Sequence, residues 1–469
     1  MSVTSRFTRG RTKGKQWGAI RGVPPMAFLM LAAVLCLSVG IEAGSRAPNP
    51  IHTVDPSGVL GTYRTTGGVD LTNYFFRSLG TNGRSCNSCH VAEDGWTVTP
   101  RHIQARFLAS RGKDPIFRPV DGAVCPSADV SSLKARQSAY SLLLKKGLIR
   151  VSMSVPAGAD FSITDIQDPY NCPETTATNP ALYRRPLPAT NLAFDSAVMW
   201  DGRETVNSGT TLDLDASLSS QAFDATMGHA QASTPPTAEQ VAEIVEFEKA
   251  NFTAQEADVR AGLLTGNGAQ GGPKNLSQQP FYVGINDPFG GDPHGAAFNP
   301  SVFTIYNNWA NSPSAYRQSV ARGEVLFNNY PIHIKDVGGL PEMQGTCTTC
   351  HNSPNVGNHS FSVPLNIGTT DYPAPAGLDI SGLPVYTVQC NDGTQKQVTD
   401  LGRALISRSC ADLGKVKGPI LRGLAGRAPY FHNGSASSLK NVVEFYNQRF
   451  SLNLTDQQKA DLVAFLQTL

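Results

Sequence analysis

The chain has 469 residues, 40% hydrophobic and only 16% charged, with 39 Lys and Arg against 37 Asp and Glu. That length exceeds one ordinary core and suits two or three domains, and the composition is globular, which excludes a disordered chain. A formal net charge of +2 gives no basis for nucleic-acid binding.

In chain order, the first feature is a targeting segment. Arg6, Arg9, Arg11, Lys13, Lys15 and Arg21 form a basic stretch, and an apolar run follows from Met26 to Val39. The run is short for a membrane span and fits the core of a signal peptide. The expectation is a signal peptide over residues 1–43, cut among the small residues from Gly40 to Gly44, and export to the periplasm. An uncleaved anchor is the alternative. Residues 44–310 and 311–469 are expected to form two domains.

Asn73 to Leu79 (NYFFRSL) predicts a helix just before CNSCH, Cys86 to His90. Residues 110–240 are rich in Pro and Gly and predict loops. A helix is expected after Pro235-Pro236, with Thr237 and Gln240 as a capping box and Val241, Ile244, Val245 and Glu248 marking its turns. Gly266 to Pro300 reads as a long surface connection. Tyr316 to Phe327 predicts a helix with Val320, Gly323 and Phe327 on one face, followed by CTTCH, Cys347 to His351. Leu439, Val442, Val443 and Tyr446 recur at i, i+3, i+4 and i+7, so Tyr446 shares an apolar, inward face. Thr455 and Gln458 form a second capping box, ahead of the stripe Leu462, Phe465, Leu466 and Leu469.

Cys-x-x-Cys-His is the signature of covalent haem c attachment. Cys86 with Cys89, and Cys347 with Cys350, would form thioethers, while His90 and His351 would be the proximal iron ligands. Zinc uses the same residue types, but neither motif has a second ligand pair at finger spacing. A thioredoxin-like pair would need a βαβ context that is absent. Two covalently bound haems c are therefore expected, each in its own helical domain. Cys125, Cys172, Cys390 and Cys410 allow three pairings in an oxidising compartment, of which Cys125–Cys172 with Cys390–Cys410 is the most economical.

AVMWDGRE (Ala197 to Glu204), LGRALI (Leu401 to Ile406) and GPILRGLAGRAPYFHNGS (Gly418 to Ser435) resemble segments of the bacterial dihaem cytochrome c peroxidase and MauG superfamily. The resemblance implies a mainly α fold, two cytochrome c-like haem domains with loop-rich insertions. It implies a peroxidatic first haem with His90 proximal and an open distal side, and a second haem held by His351 and another protein ligand. It places Trp200 between them as an electron or radical relay, ordinary core packing being the alternative.

The family's usual Met ligand to the second haem has no counterpart, because no Met follows Met343. The matching position is Tyr446, whose tyrosinate would favour ferric and higher-valent iron; a buried, hydrogen-bonded Tyr is the packing alternative, and His359 and His432 are the other ligand candidates. His432 is expected to hydrogen-bond near the second haem. On the distal side of the first haem, Gln221 matches the family Gln, while Gln231 falls near the family's Glu and cannot act as a base. His229 is the nearest proton-shuttling residue; a structural hydrogen bond is its alternative. His102 is a second candidate. Arg203 is expected either on a haem propionate or in a structural salt bridge. Some family members bind calcium between the domains, but Arg185 replaces the Asn that helps them, leaving the Pro429 carbonyl, and a cation beside Arg is unfavourable. The implied partners are hydrogen peroxide and a small periplasmic donor, a c-type cytochrome or cupredoxin, or else a protein substrate. A two-haem electron carrier and an oxygen-dependent dioxygenase are the competing functions.

Overall fold

The helices Ala238–Ala250, Ala315–Asn329, Leu439–Arg449 and Asp456–Gln467 arise where periodicity and caps predict them, whereas Leu214–Gly228, 15 residues long, falls within the 110–240 stretch expected to form loops. The computed structural model describes Met1, residues 46–208 and residues 211–469; the expected signal segment lies outside the described residues. The helix Ala238–Ala250 opens on Thr237, whose side chain accepts from Gln240 N–H while Gln240 bonds back to the Thr237 amide. Thr455 and Gln458 do the same for the helix Asp456–Gln467. Each box satisfies amides that a helix start leaves unpaired.

Asp456–Gln467 crosses the helix Ala315–Asn329 at Gly323, where a Cβ would lie 2.0 Å from the Asp461 carbonyl oxygen. Only glycine permits that approach. Arg322 locks the crossing through its Nε, 2.8 Å from Asp461 Oδ2. Val320, Phe327, Leu462, Phe465 and Leu466 join Leu439 and Val443 in one buried core. Burying each such side chain contributes about 1.5–3 kcal/mol before entropy is counted. A separate core in the first half gathers Phe75, Trp96, Val241, Ile244, Val245 and Phe247.

Distant segments are stitched together by sheets. Gly58–Arg64 pairs antiparallel with Ile51–Asp55 on one side and Asn251–Asp258 on the other, with Tyr63 opposite Phe252. Phe161–Gln167 pairs with Val385–Cys390, so strand pairing crosses residue 310. The carbonyl of Leu469 accepts from the amides of Gln255 and Gly423. Residues 46–469 pack as one compact unit. Helices contribute to both of these cores, and six small sheets among the described residues add more strand than a mainly α reading anticipates. No helix among the described residues is long and apolar enough to cross a membrane.

Two local expectations change. The segment Asn73 to Leu79 makes only a 3-10 turn, Tyr74–Phe76, capped by Asn73. Phe75 is fully buried against Phe247 at 4.4 Å, and the turn ends at Arg77, whose backbone is extended. Gly266 to Pro300 is irregular, as expected, but not simply a surface connection: Leu276, Asn286, Asp287 and Asp292 are buried. The Asn286 amide donates to Asn299 O and Asn352 O, which ties this loop to the residue after His351. The structure pairs Cys125 with Cys172 and Cys390 with Cys410.

Candidate functional site

Both Cys-x-x-Cys-His segments fold alike. Cys86–Ser88 and Cys347–Thr349 are 3-10 turns, each with a capping box, Ser85 with Ser88 and Thr346 with Thr349. The four cysteines are unpaired. His90 Nδ1 lies 3.0 Å from the Trp96 carbonyl, and His351 Nδ1 lies 2.8 Å from the Gly357 carbonyl. A carbonyl only accepts, so Nδ1 carries the proton and Nε2 keeps its lone pair for a metal. Burial lowers both imidazole pKa values, which favours the neutral ligand form.

Each turn faces a cavity. The first, of about 150 Å³, is lined by Cys86, Cys89, His90, Gln221, His229 and Glu248, among others. The second, of about 270 Å³, is lined by Cys347, Cys350, His351, Trp200, His432 and Tyr446, among others. The residues fit a covalent haem at each: free thiols beside an oriented imidazole on an apolar wall. The second cavity also holds groups that match haem carboxylates, since Arg427 leaves Nη2, and His432 both ring nitrogens, buried without a partner.

The cavities share a wall. Pro186, Leu187, Pro188, Leu192 and Asp195 line both. Val198 and Met199 face the first cavity and Trp200 the second. Trp200 is 9% exposed; its Nε1–H donates to Arg185 O at 2.8 Å, and its ring lies 6.1 Å from that of His432. Lys417 donates to Asp195 Oδ1 at 2.7 Å and, through its amide, to Trp200 O. Trp200 therefore lines the second cavity, held by hydrogen bonds through its indole N–H and its carbonyl.

The two cavities differ in the other residues that line them. In the first, the helix Leu214–Gly228 presents Gln221 and ends at His229. His229 Nδ1 meets Asp121 Oδ2 at 2.5 Å, and Arg84 Nη1 meets Asp121 Oδ1 at 2.6 Å. Burial alone would raise the Asp121 pKa, but His229 and Arg84 hold it below the usual range. Glu248 completes this set. Burial, with no cation to oppose it, pushes its carboxyl up to about 8, and Oε2 has no hydrogen-bond partner. Sequence reasoning placed Glu248 only as a helix marker; its signal was an acid on an otherwise apolar face.

In the second cavity, Leu439, Val442, Val443 and Tyr446 all line the space. Burial, with the Cys350 and Cys347 thiols nearby, raises the Tyr446 pKa. Its hydroxyl makes no hydrogen bond among the described residues, unlike Tyr183, whose hydroxyl donates to Val124 O at 2.5 Å. His359 and His432 line the same cavity, and burial lowers each to about 4. His359 Nδ1 is engaged by Cys350 O at 2.8 Å; His432 Nε2 lies 3.8 Å from Asp400 Oδ2, too far for a hydrogen bond.

Other expected residues lie elsewhere. Arg203 lines neither cavity; its Nη1 reaches Asp201 Oδ2 at 3.1 Å, the salt-bridge alternative. His102 is held by Asp94 at 2.6 Å and lines neither cavity. Gln231 bonds Asn82 through its side chain.

No family model matches the chain. The chain is similar to the cytochrome-c peroxidase IdrP2 of Denitromonas iodatirespirans, 35% identical over 136 residues, which are 27% of this chain and 36% of that protein. It is also similar to the methylamine utilization protein MauG of Methylophilus methylotrophus, 27% identical over 176 residues, 35% of this chain and 41% of that one. The chain thus spans less than half the length of these curated relatives. A solved MauG-like protein associated with microbial copper homeostasis aligns over 92% of this chain and 94% of its own, at 16% identity and a TM-score of 0.39.

Proposed function

From the chain's similarity to cytochrome-c peroxidases and MauG, we propose that it is an exported, periplasmic dihaem c-type oxidoreductase. It reacts with hydrogen peroxide at the His90 site and shares oxidising equivalents with a Tyr446-ligated second site through Trp200. Haem, when bound, supplies the iron redox chemistry that peroxide reduction requires.

The protein's own part follows from its residues. Cys86, Cys89, Cys347 and Cys350 would anchor the two groups, and Trp96 O and Gly357 O aim the two imidazoles. Peroxide cleavage needs a proton moved from one oxygen to the other. Asp121 holds His229 at Nδ1, which leaves Nε2 to take and return that proton. Gln221 on the same wall can orient the oxidant by hydrogen bonding. Glu248, neutral at pH 7, keeps a proton in the cavity without adding charge. In the second cavity the Tyr446 oxygen is the unbonded polar atom on an apolar helix face, suited to an oxygen ligand for iron. The reductant would be a small c-type cytochrome or cupredoxin, or the equivalents would pass to a protein substrate.

The observation that carries this reading is the shared wall, with Trp200 lining one cavity and a titratable set lining the other. Exogenous ligand binding tests it. Azide or cyanide added to the diferric protein should perturb one haem only, at low concentration. Two haems that both resist ligand would instead identify a two-haem electron carrier.

A further inference from the structure

The residue before the shared wall, Arg185, is almost fully buried, and it makes no ion pair among the described residues. Its guanidinium is instead clasped by backbone carbonyls from three remote segments. Nη2 donates to Val98 O at 2.8 Å and to Arg427 O at 3.0 Å, and Nη1 donates to Lys146 O at 3.2 Å. Its main chain binds the relay itself: the Arg185 amide donates to His432 O at 2.6 Å, and its carbonyl accepts the Trp200 indole N–H at 2.8 Å. Five bonds from one residue thus join both haem-bearing halves to the Trp200–His432 pair.

Converging carbonyl oxygens are the donor set of a hard cation such as calcium. Here the positive charge is already covalent. A second buried guanidinium, Arg427, adjoins the first and donates to Gly95 O at 3.1 Å and Arg422 O at 2.6 Å. A dication would meet two like charges and carbonyls that already accept hydrogen bonds from Arg185. The residues present therefore do not fit calcium.

We propose that Arg185 is the built-in cation of the junction between the two sites: its guanidinium does the work a divalent metal would do there, and it positions Trp200 and His432 without any metal. The positioning half rests on the function proposed above; the metal-free half does not. Guanidinium suits the role because its planar fork serves several acceptors at once, whereas the Lys ammonium is a compact point charge.

The test uses the haem-loaded protein. Elemental analysis should find no stoichiometric calcium, and excess EGTA or added calcium should leave the thermal midpoint and both haem spectra unchanged. Arg185→Met keeps the bulk and orphans three carbonyls. It should lower the midpoint and slow electron exchange between the haems of half-reduced protein by about tenfold or more, while each haem's own spectrum persists. Arg185→Lys should fold even if the Met variant does not, and should recover part of both losses. One calcium per chain whose removal lowers the midpoint would overturn the proposal. So would Arg185→Met with wild-type inter-haem exchange. None of these readouts needs peroxide, so a protein inert to peroxide would defeat the proposed function and leave this test standing.

Discussion

The two Cys-x-x-Cys-His sites are nearly one design on the histidine side and two designs on the other. Each uses a 3-10 turn, a capping box and an Nδ1 bond to a carbonyl six residues on. Beyond the motif, the first cavity is lined by Arg84, Asp121, Gln221, His229 and Glu248, whereas the second is lined by the apolar face ending in Tyr446. The attachment motifs are alike, and the remaining lining is where the two cavities differ: titratable side chains in the first, and in the second an apolar helix face that carries the Tyr446 hydroxyl.

The comparison can be broken first at the anchors. Cys347→Ala with Cys350→Ala should reduce bound haem from two to one per chain, leaving the first site's spectrum intact in a pyridine haemochrome assay. Two haems remaining would refute the assignment of the second site. Next is the proton wall. His229→Ala should slow the peroxide reaction by about 10²–10⁴-fold, the usual contribution of a positioned acid–base group, with both resting spectra unchanged. Asp121→Asn should cost less, since it only orients the ring; an equal rate in His229→Ala would move the shuttle elsewhere. Tyr446→Phe should alter the spectrum of one haem and spare the other. Unchanged spectra for both would remove Tyr446 as a ligand.

The smallest effect concerns Glu248, whose carboxyl is pushed from an ordinary 4.5 up to about 8 by burial. The folded state then holds a proton that the unfolded state releases. Its contribution to stability is complete below about 4.5 and is lost as pH rises through about 8. Glu248→Gln lacks this slope, so it should gain on the wild type between about pH 5 and 8 by a few kcal/mol, at about 1.4 kcal/mol per pH unit. Parallel denaturation midpoints across that range would contradict the buried neutral acid.

Much of this was legible because it is local. Both haem motifs, both capping boxes and the 439–446 stripe depend on residues within a few positions of each other, where spacing translates directly into geometry. Resemblance and period singled out Trp200 and Tyr446, and both line the second cavity. What stayed hidden depends on chain closure. Nothing near His229 in sequence announces Asp121, 108 positions away. The pairing of Phe161–Gln167 with Val385–Cys390 is a register between segments that share no local signal. Arg203 shows the opposite case: its guanidinium suits a propionate or a carboxylate alike, and the carboxylate it reaches is Asp201, two residues back. Glu248 was visible as an acid in an apolar row, and only the fold shows that the row faces a cavity.

The most direct test of the central claim is stopped-flow mixing of the purified diferric protein with one equivalent of hydrogen peroxide, following both haem spectra. The account predicts a rapid change at both haems in the wild type. In Trp200→Phe, the change should begin at the first haem and reach the second much later. A spectrum that stays diferric, or a second haem that responds equally fast without Trp200, would contradict it.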